Sequence, residues 1–593
     1  MIPSPWVYHG LNFLSTLSGE VHTWIEAVNG IRNGGNNTEY VITVTGTISV
    51  PPSTESTFGS VTDIIITVEG SGTLSPSSNG NLFIIGNGQT VIAKNVTLRG
   101  RSENGSYSVI AISRGGTFSM EGNATVTGNS RTGNGGGVYV DGGTFIMQDT
   151  SSVSGNTANT NSSNGGGGGV FVNSGTLTMR GNSTVSVNTA FSGYRSWGDY
   201  GGGGGVLVNG GTFTIQESAT VSGNSARGLR DSSNEIAPVF GGGIYIVTGT
   251  FTMEGGTISN NTAEYDWTNS GGGSGVCNRG GTFIMAGGSI FSNAGSSGIE
   301  NRGNFTMRGN ATVSGNRTSR NGGGVSNSGT FIMEGNSSVL NNTANFGGGV
   351  YGNLTMQDSA VVSGNTAAIS GGGVYVRESF IMRGNATISG NTATYGGGVY
   401  NGGTFAMESN ATVSGNIAKD RGGGVYIGGS TDIFGSFSGG TFTKTGGNIF
   451  GDDADQDLRN TAISSMGHAV FGNPDRLRNA SVGPTMNPDS YGFWLNEVEV
   501  ISFPSNFVGT WKRSNFSNTL TITQSTLKSS SSNNVWVLQR ISGDSYTMKR
   551  SDAANTITII MRRAGSQSYN YLEISGDSGS GQDNWNGSWR IQE

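Results

Sequence analysis

One cysteine, Cys277, in 593 residues gives no intrachain disulfide partner, so redox chemistry does not set the compartment. Proline numbers only ten and no Gly-x-y period is present, which excludes a collagen-like chain. The three histidines, His9, His22 and His468, lie outside the regular part of the sequence, so they supply no clustered base or metal ligand there. Charged residues make up 12 % with a net charge of −6 and no long basic run, and no nucleic acid is expected as partner. No apolar run reaches the roughly 18 residues of a membrane-spanning helix. No lysine or arginine precedes Arg32, so no secretory signal is read. An exported chain would then leave the cell by another route or carry a leader ahead of this stretch.

What is abundant is glycine, 105 residues, more than twice the usual share of about 7 %. The glycines are periodic. A unit of the form GGGVYV, GTFxM, ATVSGN recurs from about residue 115 to about residue 445. The marker valines Val325, Val350, Val374, Val399 and Val425 follow one another at a nearly constant step of about 25 residues. Each unit holds three short apolar pieces separated by turn residues, which predicts three strands and three turns per coil. One coil cannot close a core alone, but a stack can. No helical period is present, which argues against a leucine-rich repeat, and propeller blades need about 40 residues each.

These units resemble the right-handed parallel β-helix of the pectin-lyase-like superfamily, in particular the repetitive coils of bacterial surface and adhesin proteins of the polymorphic outer-membrane type. The resemblance spans roughly residues 20 to 480 and implies an all-β solenoid of three strands per coil. For function it implies lyases, hydrolases, adhesins or passive stalks alike.

Alternation within each strand assigns the core. The pairs Phe118/Met120 through Phe405/Met407 and the third-strand residues Val126 through Val413 are expected inside. The Asn that ends each unit (Asn129, Asn156, Asn224, Asn316, Asn365, Asn391, Asn416) is expected to form a ladder at one turn. Residues 22–32, with Trp24, Ile25, Val28 and Ile31 at helical spacing, predict a capping helix before the strand Tyr40–Val44. The expected organisation is an N-terminal cap (1–38), the β-helix (39–478), a linker (479–505) and a small antiparallel barrel or sandwich of six or seven strands (506–593). The Gly509-x-Trp511 opening and closing Trp585/Trp589 of that last region resemble the lipocalin-like family, which implies room for a small apolar ligand.

Function is sought on the outside. The early markers Val138, Val170, Val206, Ile244 and Val276 are spaced more widely than the later ones, and the excess forms loops before the glycine run. Those loops carry Tyr194, Trp197, Tyr200, Arg230, Tyr265 and Trp267, and insertions on one solenoid face often mark a binding face. The middle residue of each VYV strand points outward, giving a stripe that includes Tyr139, Phe171 and Tyr245 and returns at Tyr351, Tyr375, Tyr400 and Tyr426. Loop and stripe are expected to line one groove. Cys277 stands where other coils place Tyr and reads as a neutral replacement. Clustered carboxylates with a basic residue on adjacent coils, which a β-helix lyase or hydrolase needs, are not found, so no catalytic residue is assigned. The run Asp452, Asp453, Asp455, Asp457 is a weak candidate for calcium and otherwise the first turn of a capping helix. The expectation is a monomeric, non-catalytic extracellular or cell-surface protein without cofactor that binds a surface protein or polysaccharide. The alternative is a carbohydrate-active β-helix enzyme or carbohydrate-binding protein.

Overall fold

The computed structural model describes residues 6–8, 11–14, 24–160, 165–193, 201–230, 236–264, 272–431, 437–450, 457–463, 470–471 and 477–478, and the barrel strands between 509 and 591. The chain divides into two compact units, Met1–Phe380 and Ile381–Glu593.

The first unit is a stack of parallel coils. A representative coil runs through the strands Val325–Asn327, Thr330–Met333 and Ser338–Leu340, and each pairs in parallel with its counterpart one coil on. A fourth short strand, Thr343–Phe346, follows the Asn turn and forms a separate sheet with Thr366–Ser370. The same strand occurs early in the stack, from Ser130–Thr132 to Thr262–Ala263. Its signal is the Thr-Ala or Ser-Ala that follows the Asn: Ala158, Ala190, Ala226, Ala344 and Ala367 are buried while the Thr or Ser before each is more open. Two runs of coils thus add a fourth strand to the three legible from hydrophobic pattern alone, and in the coils between them isolated bridges at Ala294 and Arg317 take its place.

The core is the expected one. Phe213, Phe251, Phe283, Phe305 and Phe331 stack coil upon coil at centroid distances of 4.8, 4.8, 4.6 and 4.7 Å, and none is more than 2 % exposed. The spacing follows from the strand separation of about 4.8 Å, which brings identical side chains into stacking contact.

The Asn ladder is longer than the unit-ending motif indicates. In the first unit it runs Asn129, Asn156, Asn188, Asn224, Asn261, Asn293, Asn316, Asn342, Asn365, all essentially buried. Each Oδ1 accepts the backbone N–H of the Asn one coil before, as when Asn224 donates to Asn261 at 3.0 Å. Most also accept its side-chain amide. In the second unit Asn391, Asn416 and Asn460 repeat the arrangement.

The residue before each ladder Asn from Asn129 to Asn416 is left-handed. Gly155 and Gly223 have φ of 65° and 63°, and glycine accepts such angles without a side-chain clash. In the coil between them stands Val187, φ 56° and 67 % exposed. A β-branched residue in this region is strained by about 1–3 kcal/mol. Replacing Val187 by Gly relieves that strain, offset by about 0.4–1 kcal/mol of added unfolded-state entropy. We expect Val187→Gly to raise the midpoint of chemical denaturation, and an unchanged or lower midpoint would show that the valine's contacts outweigh its backbone.

The capping helix is Trp24–Asn33. Trp24, Ala27, Val28 and Ile31 are buried, and Trp24 lies 5.8 Å from Phe83. Ile25, expected on the apolar face, is 53 % exposed, because the buried stripe passes through Ala27 instead. A hairpin, Trp6–Tyr8 and Leu11–Leu14, pairs antiparallel with the first coil strand Glu39–Val44, so the sheet does not start on an open parallel edge.

The second unit contains further coils and a closed barrel of eight antiparallel strands, from Gly509–Arg513 to Gly587–Ile591. Each strand pairs with the next, and the first closes on the last through Lys512 and Arg590. The eighth strand is the short Thr526–Ser529, which pairs with Thr519–Ile522 on one side and Val535–Ser542 on the other.

Candidate functional site

Strand register fixes the outer row of the first strand. In the first unit it runs Tyr139, Phe171, Leu207, Tyr245, Cys277, Glu300, Ser326, Tyr351, Tyr375, each paired with the next. The row falls into three sections with different surroundings.

The first section is covered. Phe171 is 3 % exposed and Leu207 and Tyr245 are 0 %, although all three lie on the outside of the coil. They form a second apolar cluster with Phe240, Val247 and Cys277, and Phe240 stacks on Tyr245 at 5.9 Å. Phe240 sits in the short strand Val239–Phe240, which pairs with Gly201–Gly202, so part of the inserted chain folds down as an extra layer. Phe171 and Tyr245, expected to contact a partner, are therefore packing residues with no face open to solvent. Only Tyr139 at the margin is partly open, stacked on Phe171 at 5.3 Å with the Arg131 guanidinium 5.0 Å from its ring. Burial pushes the Tyr139 and Tyr245 hydroxyls up from their ordinary range and holds Arg131 below its own.

The second section is polar. In three successive coils the VYV strand becomes Val-Cys-Asn, Ile-Glu-Asn and Val-Ser-Asn. On the inner side Asn278, Asn301 and Asn327 replace valine and form another buried ladder, with amide contacts of 2.8 and 2.7 Å. On the outer side stand Cys277, Glu300 and Ser326. Glu300 accepts from Arg302 at 2.6 Å, and Arg302 in turn lies 5.3 Å from the Phe240 ring. The Glu300 carboxylate fills the space above Gly272, where a Cβ would lie 1.7 Å from Oε2. Both side chains thus fold back toward the covered section. Burial raises the Glu300 carboxyl above its usual range, and Arg302 opposes that rise. The Cys277 thiol is pushed well up by burial and by Glu300, so it stays protonated and is a poor nucleophile.

The third section is half-open. Tyr351 and Tyr375 stack at 5.0 Å, Phe346 meets Tyr375 edge-on at 5.8 Å, and Arg377 lies 6.0 Å from the Tyr351 ring. The second unit has an equivalent row, Tyr400, Tyr426 and Phe471, stacked at 5.2 and 5.3 Å with Arg421 5.2 Å from Phe471.

Of the expected loop residues, Tyr194, Trp197, Tyr200, Tyr265 and Trp267 lie outside the described residues. Arg230 is exposed, its backbone bridged antiparallel to Ile236. Asp452, Asp453 and Asp455 also lie outside the described residues, and Asp457 is exposed in a turn. Among the described residues no group of three or more His, Cys, Asp or Glu could hold a metal ion. Glu300 is missed by sequence reasoning because no glycine-run marker aligns it with the tyrosine position. Its signal is the marker isoleucine Ile299, which follows Val276 after a slightly shortened coil and pairs with it. No family model matches the chain, and neither a curated protein nor a solved structure matches it significantly.

Proposed function

We propose that this chain is a non-catalytic β-helix protein of the cell surface or extracellular space that binds an extended polysaccharide of a host, matrix or cell envelope. The observation that carries the reading is the half-exposed row of stacked tyrosines, Tyr351–Tyr375 in the first unit and Tyr400–Tyr426 in the second, each bordered by an arginine. Rings stacked on one another keep their edges and hydroxyls outward at a repeat of about 5 Å, a regular set of donors and apolar edges for a repeating polymer. The coil architecture supports the resemblance to repetitive adhesin-type β-helices, and the eight-stranded closed barrel supports that to lipocalin-like domains. For the enzyme reading, the described outer row of the first unit offers one carboxylate, Glu300, already engaged with Arg302.

The test is capture of the full chain on an array of bacterial and matrix polysaccharides. Replacing Tyr375, Tyr400 and Tyr426 by alanine is expected to lower capture at least tenfold with an unchanged circular-dichroism spectrum. Capture that survives all three replacements would move the site elsewhere.

A further inference from the structure

We infer that the gap at Ser326 is a slot for one pyranose ring of a glycan, stacked on the open face of Tyr351. The inference rests on the polysaccharide-binding reading and names the point where that partner would be held most closely.

The argument starts from the register. Tyr351 has Tyr375 against one face at 5.0 Å, and its neighbour on the other side of the row is Ser326. The aromatic stack therefore ends at Tyr351, and the position a further ring would occupy is left to a side chain of two heavy atoms. From Glu300 to Tyr351 is two coil steps, roughly 9.6 Å at about 4.8 Å per step. The far wall is drawn back, because Glu300 leans over Gly272 and Arg302 lies against Phe240, both toward the covered section. The space so left has the thickness of one ring, since the stacked tyrosines themselves repeat at 5.0 Å.

The rim is polar where the Tyr351 wall is apolar. Ser326 supplies a hydroxyl at the floor. Asn321, paired in register with Phe346, stands in the neighbouring column where Phe240 covers the first section, and it is partly exposed. One apolar face with a hydroxyl and an amide beside it matches a sugar ring, whose C–H face stacks on an aromatic ring while its hydroxyls donate and accept at the edge. A peptide aromatic ring would fill the thickness but leave those polar groups without a ligand partner. Beneath the gap Asn301 donates to Asn327 at 2.7 Å, and Asn327 donates to the Asn353 carbonyl of the next coil at 2.7 Å, which ties the three strands together.

The test uses the full chain and saturation-transfer NMR with the methyl glycosides of glucose, galactose and N-acetylglucosamine. At least one glycoside is expected to receive saturation. Ser326→Tyr places a ring in the slot and continues the existing stack, so it should abolish the signal while the melting temperature stays the same or rises. Tyr351→Ala should weaken binding at least tenfold, while Val187→Gly, at an Asn turn away from the row, leaves it unaltered. No response from any of the three glycosides, or undiminished binding by Ser326→Tyr, overturns the slot. Binding of N-acetyltryptophanamide in place of the sugars, lost in Ser326→Tyr, overturns its assignment to a glycan. The two readings separate cleanly: polysaccharide capture with an inactive slot removes this inference alone, and glycoside binding without polymer capture removes the polymer reading alone.

Discussion

Replacing Phe305 by aspartate is expected to unfold the coils around it. Phe305 is fully buried and touches Phe283 and Phe331 at 4.6 and 4.7 Å, so the change removes two stacking contacts and leaves a cavity. Loss of a buried phenylalanine alone costs about 3–5 kcal/mol, and an unpaired buried carboxylate adds several more. In a solenoid each repeat contacts its neighbours only, so the damage should be local. Limited proteolysis should cut between about residues 280 and 335 in the variant and spare that stretch in the parent. Phe305→Leu, which keeps an apolar side chain, should stay resistant. A resistant aspartate variant with an unaltered melting curve would place Phe305 outside the core.

That experiment bears on the part of the fold most legible in the sequence. The alternation of Phe and Met with Thr and Gly has only one phase that buries apolar side chains, and the same phase recurs in every coil, so the inward rows could be read directly. The outer row was legible in position but not in environment. Alternation says that Tyr245 points away from the coil axis, yet its burial depends on Phe240, which arrives from an inserted segment of different length in each coil. Nothing periodic in the sequence announces such a cover. The polar section was obscured for a related reason. Glu300 holds the tyrosine position only once the short step from Val276 to Ile299 is recognised as a complete coil, and the missing glycine-run marker hides that alignment. The fourth strand was hidden by its length, since a strand as short as Thr262–Ala263 around a single buried alanine gives too little period to read.

The second large effect is expected at the Asn ladder, where polarity and not apolar area closes the turn. Asn261 is fully buried; its Oδ1 accepts the backbone N–H and the side-chain amide of Asn224, both at 3.0 Å. Its own amide donates to the Val221 carbonyl and to Asn293 Oδ1, again at 3.0 Å. Truncation to alanine strips partners from two donors on Asn224 and from the Val221 carbonyl, in a place closed to solvent. At about 1–3 kcal/mol for each buried polar group left unsatisfied, the loss should be on the order of 3–5 kcal/mol. Aspartate separates hydrogen bonding from shape. It keeps both acceptor contacts toward Asn224 but sets an oxygen against the Val221 and Asn293 oxygens, and only its protonated form can donate to one of them. Burial raises such a carboxyl's pKa above its unfolded value, so the neutral form's contribution is fully present at low pH and is lost as pH rises through the folded value. Chemical denaturation of Asn261→Asp should therefore show greater stability near pH 4 than near pH 8, a slope absent from Asn261→Ala. Equal stability of Asn261→Ala and the parent would mean that the ladder is a consequence of the coil stack and no part of what holds it.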